Sequence, residues 1–466
     1  MKLKRLTLGL ALATSMLAAA AQDNVLQLSL KEAQQYAVEH NASMLNADLE
    51  TKKAELSRWQ VLASMLPQVK AGFDYQNMCG YTMNFGSGGG MMSMIPDSMI
   101  INTPMGPMPI SLSMPAMDTD EGESGGIAMN PSGTFSITVS MAITGAQIVG
   151  TMLQDVVKDM TDITRQQTEQ TTRANVKNTY VSILVMEQTI GLLDSSLANI
   201  ERLAATSQAA VDAGAAEQVD ADKLQVQVAT FKSNINSTRR TLQVLRNSML
   251  LQLGADVNAQ LELTTTIDEI LNVDNAMQLL GRGFDITKNY NYQLLEQSEL
   301  LAKRNLTLSR MDYTPTLAAY YQYSAKTYFG KDEGFNMTPP NMVGASLSLP
   351  IFTSGTRTAK IKSSQIDLQE AVNTRRQAED GLRVQYNQLR YDLASALENY
   401  DIQNRNIDVS QRVFNNVAEK YKYGRASSLE LTTASTDIIT AQSNYIQAVM
   451  NVVSAQVALE NLINAE

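Results

Sequence analysis

All 11 prolines of this 466-residue chain fall in two windows, residues 67–131 and 315–350. Proline removes a backbone donor and clashes with the preceding turn, so a helix interior excludes it. Long helices are therefore allowed in 132–314 and 351–466, and both stretches are rich in Ala, Leu, Gln, Glu, Lys and Arg, which are good helix formers. The proline windows instead hold alternating patterns and Gly-rich segments.

The proline-free stretches carry a seven-residue period. Leu224, Val228, Phe231, Ile235, Thr238, Leu242, Leu245 and Met249 are spaced alternately four and three apart. So are Ile438, Ala441, Tyr445, Ala448, Val452, Ala455, Leu459 and Leu462, and so are Leu382, Tyr386, Leu389, Leu393, Ala396 and Tyr400. These are coiled-coil seams whose knobs face a partner helix. A second stripe at Ile439, Ile446, Val449 and Val453 gives the last helix neighbours on two sides, as in a bundle or a ring of helices. At ~1.5 Å per residue, a helix over residues 145–211 would reach about 100 Å, too long for a compact domain.

The register repeats. An offset of 210 takes Val228, Phe231, Ile235 and Leu242 to Ile438, Ala441, Tyr445 and Val452, Gly214 to Gly424, and Asp220 to Glu430. Upstream the offset is 248, taking Asn41 to Asn289 and Pro67 to Pro315. The extra length lies in a Met- and Gly-rich insertion. Each copy reads as helix, strand, loop, strand, long helix, tight turn, long helix.

The strands alternate. Val69, Ala71, Phe73 and Tyr75 interleave with Lys70, Gly72, Asp74 and Gln76; Phe135, Ile137, Val139 and Met141 with Ser136, Thr138 and Ser140. In the second copy Leu317, Ala319, Tyr321 and Tyr323 face away from Gln322 and Ser324, and Val343, Ala345, Leu347 and Leu349 away from Gly344, Ser346 and Ser348. Each run approaches the ~9–11 residues of a tilted transmembrane strand. Apolar-out, polar-in alternation suits a water-filled barrel, and equally a half-buried soluble sheet. Four strands cannot close a membrane barrel, whose smallest forms have about eight, and lipid does not tolerate open edges. Membrane strands here require several chains sharing one barrel.

Residues 1–21 read as a secretory signal: Lys2, Lys4 and Arg5, an apolar run, then four alanines before Gln22. No later apolar run is expected to span a membrane as a helix. With 37 Lys+Arg against 47 Asp+Glu, the net charge of −10 argues against nucleic acid as a partner. One cysteine, Cys79, and one histidine, His40, exclude an intrachain disulfide and a multi-His metal site. No acid/base pair, nucleophile elbow or phosphate loop stands out, so no enzyme, no cofactor and no metal site is expected. Eleven methionines lie between Met78 and Met129. They could offer soft thioether ligands, though adaptable apolar side chains in an extracellular loop are the favoured reading.

Repeat, signal, four strands and paired long helices together resemble the TolC-like outer membrane efflux proteins. The local resemblance lies in Leu28–Ala33 before a first helix containing Asn41, in Leu66, Pro67, Gln68 and Val69, in Leu349, Pro350, Ile351 and Phe352 with Gly355, and in Lys420 to Gly424 followed by Ser428, Leu429 and Glu430. The first strand-to-helix swivel, 142–145, lacks the proline and aromatic residues of the second. The family often has an Arg two residues after the second tip glycine, where this chain has Ala426 beside Arg425.

The resemblance implies a mostly α fold with membrane β: an internally duplicated chain giving four strands to a trimeric, twelve-stranded outer-membrane barrel, continued by an α-helical periplasmic barrel. It implies a first repeat over 22–254, an equatorial linker over 255–285 and a second repeat over 286–466. Strands are expected near 68–76, 134–143, 316–325 and 342–351, with a Met/Gly-rich loop at 77–133. The implied role is the exit duct of a tripartite efflux or type I secretion system in the outer membrane, with a periplasmic adaptor and an inner-membrane pump as partners. An exported soluble coiled-coil scaffold without a pore is the alternative. Gly214 and Gly424 would turn the helix tips. Asp220 and Tyr421 match a pair that hydrogen-bonds neighbouring coils in the closed aperture. Glu430 and Thr433 match the constriction ring, where only Glu430 keeps a charge.

Overall fold

The computed structural model describes residues 25–79, 82–84, 99–103, 106–110, 126–128, 130–271, 273–329 and 338–464. The signal segment and most of the methionines of the insertion lie outside the described residues. In chain order the elements are β1 (Val25–Leu28), α1 (Leu30–His40), α2 (Ala42–Ala63), β2 (Gln68–Gln76), β3 (Thr82–Asn84), β4 (Met99–Thr103), β5 (Gly106–Ile110), β6 (Gly126–Ala128) and β7 (Ser132–Ile143). There follow α3 (Gly145–Asp212), α4 (Gln218–Leu253), β8 (Gln260–Leu263), α5 (Ile267–Ile270), α6 (Val273–Gly281), α7 (Tyr290–Met311), β9 (Thr316–Tyr328), β10 (Asn341–Ser348), α8 (Thr356–Lys422) and α9 (Ser428–Ile463). They divide into two compact units.

The first unit holds the described residues up to Arg58 with Met152–Thr307 and Lys360–Glu466, and is mostly helix. The heptad knobs are its core. Leu224, Phe231 and Ile235 of α4 bury against Leu193, Ile200 and Ala204 of α3 and against Phe414, Leu431 and Ile438 of α8 and α9. The two stripes of α9 take two sets of neighbours. Val452 and Leu459 pack with Leu393 and Leu397 of α8; Val449 and Val453 pack with Val181 and Val185 of α3. At about 25 cal/mol per Å² of apolar area removed from water, these seams are the main stabilising term. β1 pairs in parallel with β8, from Val25↔Gln260 to Leu28↔Leu263. Buried Tyr180 locks this pair to α3: its hydroxyl donates to the Leu28 carbonyl and accepts from the Thr265 N–H, each at 3.0 Å.

Two expectations are corrected here. The first helix is two helices, broken at Asn41, where ψ is 133°. And α3 and α9 each contain a stretch long and apolar enough to cross a membrane, although 39% and 50% of those stretches is buried. Their apolarity follows from packing on two sides, which adds a second apolar stripe to the helix.

The second unit, Trp59–Thr151 with Leu308–Ala359, is built on a four-stranded antiparallel sheet of order β10-β9-β7-β2. The register aligns Val69, Val139, Tyr321 and Val343 in one row and Met141, Ala319 and Ala345 in another. All the apolar sets read from the sequence share one face. It is largely uncovered: Val343 is 80% exposed, Leu347 70% and Val69 69%. The opposite face aligns Lys70, Thr138, Gln322 and Met342. Among the described residues, the outer edges of β2 and β10 have no partner strand. The insertion is not plain loop: β3 pairs with β6 and β4 with β5, both antiparallel.

The two strand-to-helix junctions are fixed differently. At the first, the Thr144 hydroxyl accepts from the Gln147 N–H at 3.1 Å, and the Gln147 side chain accepts from the Thr144 N–H at 3.0 Å. This reciprocal cap replaces the missing proline. At the second, Ser354 and Gly355 both take positive φ, and Arg357 donates to the Pro350 carbonyl at 2.7 Å.

Candidate functional site

The two helix pairs turn at 213–217 and 423–427. Both end their first helix in the same way. The Gly214 N–H reaches the Val211 carbonyl and the Ala215 N–H the Ala210 carbonyl, each at 2.8 Å. Gly424 reaches Tyr421 at 2.9 Å and Arg425 reaches Lys420 at 2.8 Å. This double bond pattern needs a left-handed residue, and φ is +72° at Gly214 and +68° at Gly424. Both glycines therefore supply the left-handed residue that ends the helix.

The second helices start differently. Ser427 caps α9: its hydroxyl accepts from the Glu430 N–H at 3.2 Å, and the Glu430 carboxylate accepts from the Ser427 N–H at 2.7 Å and from its hydroxyl at 3.1 Å. These bonds, the backbone one first, hold the Glu430 carboxyl below the ordinary carboxylate range. Glu430 is exposed, so the ionised group faces water. At the matching place on α4, Glu217 offers no side-chain cap bond. Asp220 is freed from capping and reaches across to the second copy. Its carboxylate accepts from the Ser428 hydroxyl at 2.5 Å, with the Lys223 ammonium 3.4 Å away. The Ser428 bond, and secondarily Lys223, also hold its carboxyl low.

Tyr421 makes a second link between the copies. Its hydroxyl lies 3.2 Å from Ser207 Oγ on α3, and its ring packs on the cluster around Leu203 and Phe414. Within one chain, then, Asp220 and Tyr421 are not bonded to each other; each ties α4 or α8 to a serine of the other copy. Thr433 spends its hydroxyl on the Leu429 carbonyl at 3.0 Å. Ser207, Ser428 and Lys223 were not singled out by the sequence, in which a serine on a buried stripe carries no distinguishing signal. The Ser427–Glu430 cap does carry one, the Ser-x-x-Glu spacing.

Two asparagines make a further matched contact. The Asn41 side-chain N–H₂ donates to the Gln252 carbonyl at 2.6 Å while its oxygen accepts from the Ser43 N–H. Asn289 donates to the Leu462 carbonyl at 2.8 Å and accepts from the Tyr292 N–H. His40 stacks on Tyr36 with ring centroids 4.1 Å apart, its Nδ1 3.0 Å from the Tyr36 carbonyl. Among the described residues no three His, Cys, Asp or Glu side chains group to hold a metal.

Residues 294–465 match the model of the outer membrane efflux protein family. Outer membrane efflux protein BepC of Brucella suis biovar 1 (strain 1330) is 22% identical over 306 residues, an alignment spanning 63% of each chain. The crystal structure of CusC superposes with a TM-score of 0.69 at 13% identity, covering 94% of this chain and 93% of that one. The open-state outer membrane channel MtrE of Neisseria gonorrhoeae superposes at 0.67 with 15% identity, covering 93% and 88%. At these identities the structural matches establish the fold.

Proposed function

We propose that this TolC-like outer membrane efflux protein acts as one third of a passive exit duct. It is an outer-membrane protein of a channel family and not an enzyme. Three copies would close twelve strands into one barrel, with the helices continuing as a periplasmic tunnel. The observation that carries this reading is the second unit's sheet: four strands, one uncovered apolar face, one polar face and, among the described residues, two unpaired edges. Lipid covers the apolar face, and only the edges of further copies can satisfy the outer backbone groups.

In this reading the chain is a duplicated unit, 22–254 and 286–466 joined through 255–285. The matched Asn41 and Asn289 contacts and the matched tip turns support the duplication. The tips form the gate: Asp220 and Tyr421 hold the coils closed, and Glu430, with Thr433 beside it, gives the trimer three carboxylates on one axis. A periplasmic adaptor and an inner-membrane pump are the partners, the pump selecting what is exported by efflux or type I secretion. Mass measurement of the detergent-solubilised protein tests the assembly. A trimer is expected; a folded monomer in detergent contradicts it, and a chain that stays soluble without detergent favours a scaffold.

A further inference from the structure

The polar face of the sheet carries three charges, and the register sets their spacing. Lys70 shares its row with Thr138, Gln322 and Met342, none of them charged. Asp74 shares its row with Thr134 and Lys326. Two strand spacings of ~4.8 Å separate the Asp74 and Lys326 backbones, a gap a lysine stem can cover, so these charges largely offset. The Lys326 ammonium also lies 4.9 Å from the Tyr328 ring centroid. Lys70 has no such counterweight. It stands four residues from Asp74, about 13 Å along the strand, beyond the ~10 Å Debye length of 0.1 M salt. Among the described residues it makes no ion pair.

Lys70 is the third residue of β2, two past Gln68, the end joined to α2. The face it shares with Thr138 and Gln322 is opposite the apolar one, so in a closed barrel it points into the lumen. The row nearer the helices, Gln68, Ser140, Tyr320 and Gly344, is uncharged as well. There the Tyr320 ring covers Gly344, where a Cβ would come within 2.4 Å of it.

We infer that Lys70 forms a cationic ring in the lumen at the helix-joined end of the barrel, where it favours the passage of anions. This rests on the trimeric duct proposed above. Rings of one charge sign set ion preference in pores.

The test is the reversal potential of purified trimers in planar bilayers across a 1.0 to 0.1 M KCl gradient. Lys70→Gln should lower the chloride-to-potassium permeability ratio by about two-fold or more, and Asp74→Asn should raise it. Lys70→Arg should leave it near wild type. Conducting trimers whose ratio is unchanged in Lys70→Gln overturn the ring alone, whatever Asp74→Asn does. Failure of the wild-type protein to form conducting trimers overturns the ring and the duct together.

Discussion

Asn289 joins two helix ends with one side chain: its amide N–H₂ donates to the Leu462 carbonyl at 2.8 Å, and its oxygen accepts from the Tyr292 N–H at 3.2 Å. The acceptor is one of the last carbonyls of α9 and the donor one of the first N–H groups of α7, the groups a helix leaves unsatisfied. Asn41 does the same for the end of α4 and the start of α2. Each pair lies within the first unit.

Asn289 is 4% exposed, whereas Asn41 is half-buried. Asn289→Ala is expected to destabilise by about 1–3 kcal/mol, the cost of leaving buried backbone groups unpaired, and Asn41→Ala by less. Asn289→Asp should cost at least as much as the alanine. It keeps the cap acceptor but sets a carboxylate against a carbonyl at the negative end of a helix dipole. Denaturant unfolding of the detergent-solubilised protein checks the order; an aspartate variant as stable as wild type contradicts it.

Two tip contacts, made by four residues, bear on gating. Tyr421→Phe with Asp220→Ala should raise single-channel conductance while leaving assembly intact, because the seams and the sheet are untouched. The charge-assisted Asp220–Ser428 bond contributes about 1.5–3 kcal/mol, less where water competes, and the neutral Tyr421–Ser207 bond contributes less. Asp220 bonds Ser428 and Tyr421 bonds Ser207, so Ser428→Ala and Ser207→Ala should reproduce the two effects. If the serine variants conduct as wild type while the Asp220 and Tyr421 variants open, those side chains act on a neighbouring coil instead.

The tip helix starts should respond to acid. The carboxyls of Glu430 and Asp220 are held low in the folded chain, so their contribution is present above the ordinary carboxylate pKa and is lost as pH falls through the lowered one. Hydrogen exchange at 428–431, corrected for intrinsic rate, should speed up below about pH 4 relative to the α9 interior. Glu430→Gln combined with Asp220→Asn should remove that response. Exchange that is insensitive to pH in the wild-type chain would show that the cap does not hold this turn.

Glu430→Ala should also reduce cation preference and block by multivalent cations, with little effect on opening. Reversal potentials in KCl and titration with a trivalent cation measure this. Unchanged values place the carboxylate away from the conducting path.

Much of this architecture was legible because it is periodic. The proline gap after residue 131 prepared the 68 residues of α3, and the heptad positions Phe231, Ile438 and Leu459 are fully buried. Strict alternation at Val69 to Tyr75 put one apolar face on β2, and the register extends that face across all four strands. Local geometry was less legible. Asn41 breaks the first helix through a bond to Gln252, 211 residues away, which no local pattern announces. The apolar stretches of α3 and α9 are not legible as continuous runs because polar residues interrupt them. At the tips, the sequence pointed to Asp220 and Tyr421 but not to Ser428 and Ser207, since a partner hydroxyl is chosen by three-dimensional packing.

The most direct test of the duct is the conductance of the purified, trimer-sized protein in a planar bilayer. Discrete single-channel steps that grow in the Tyr421→Phe, Asp220→Ala variant are the predicted result. A bilayer that stays silent with both proteins, although each inserts, would contradict the duct and leave a coiled-coil scaffold as the better account.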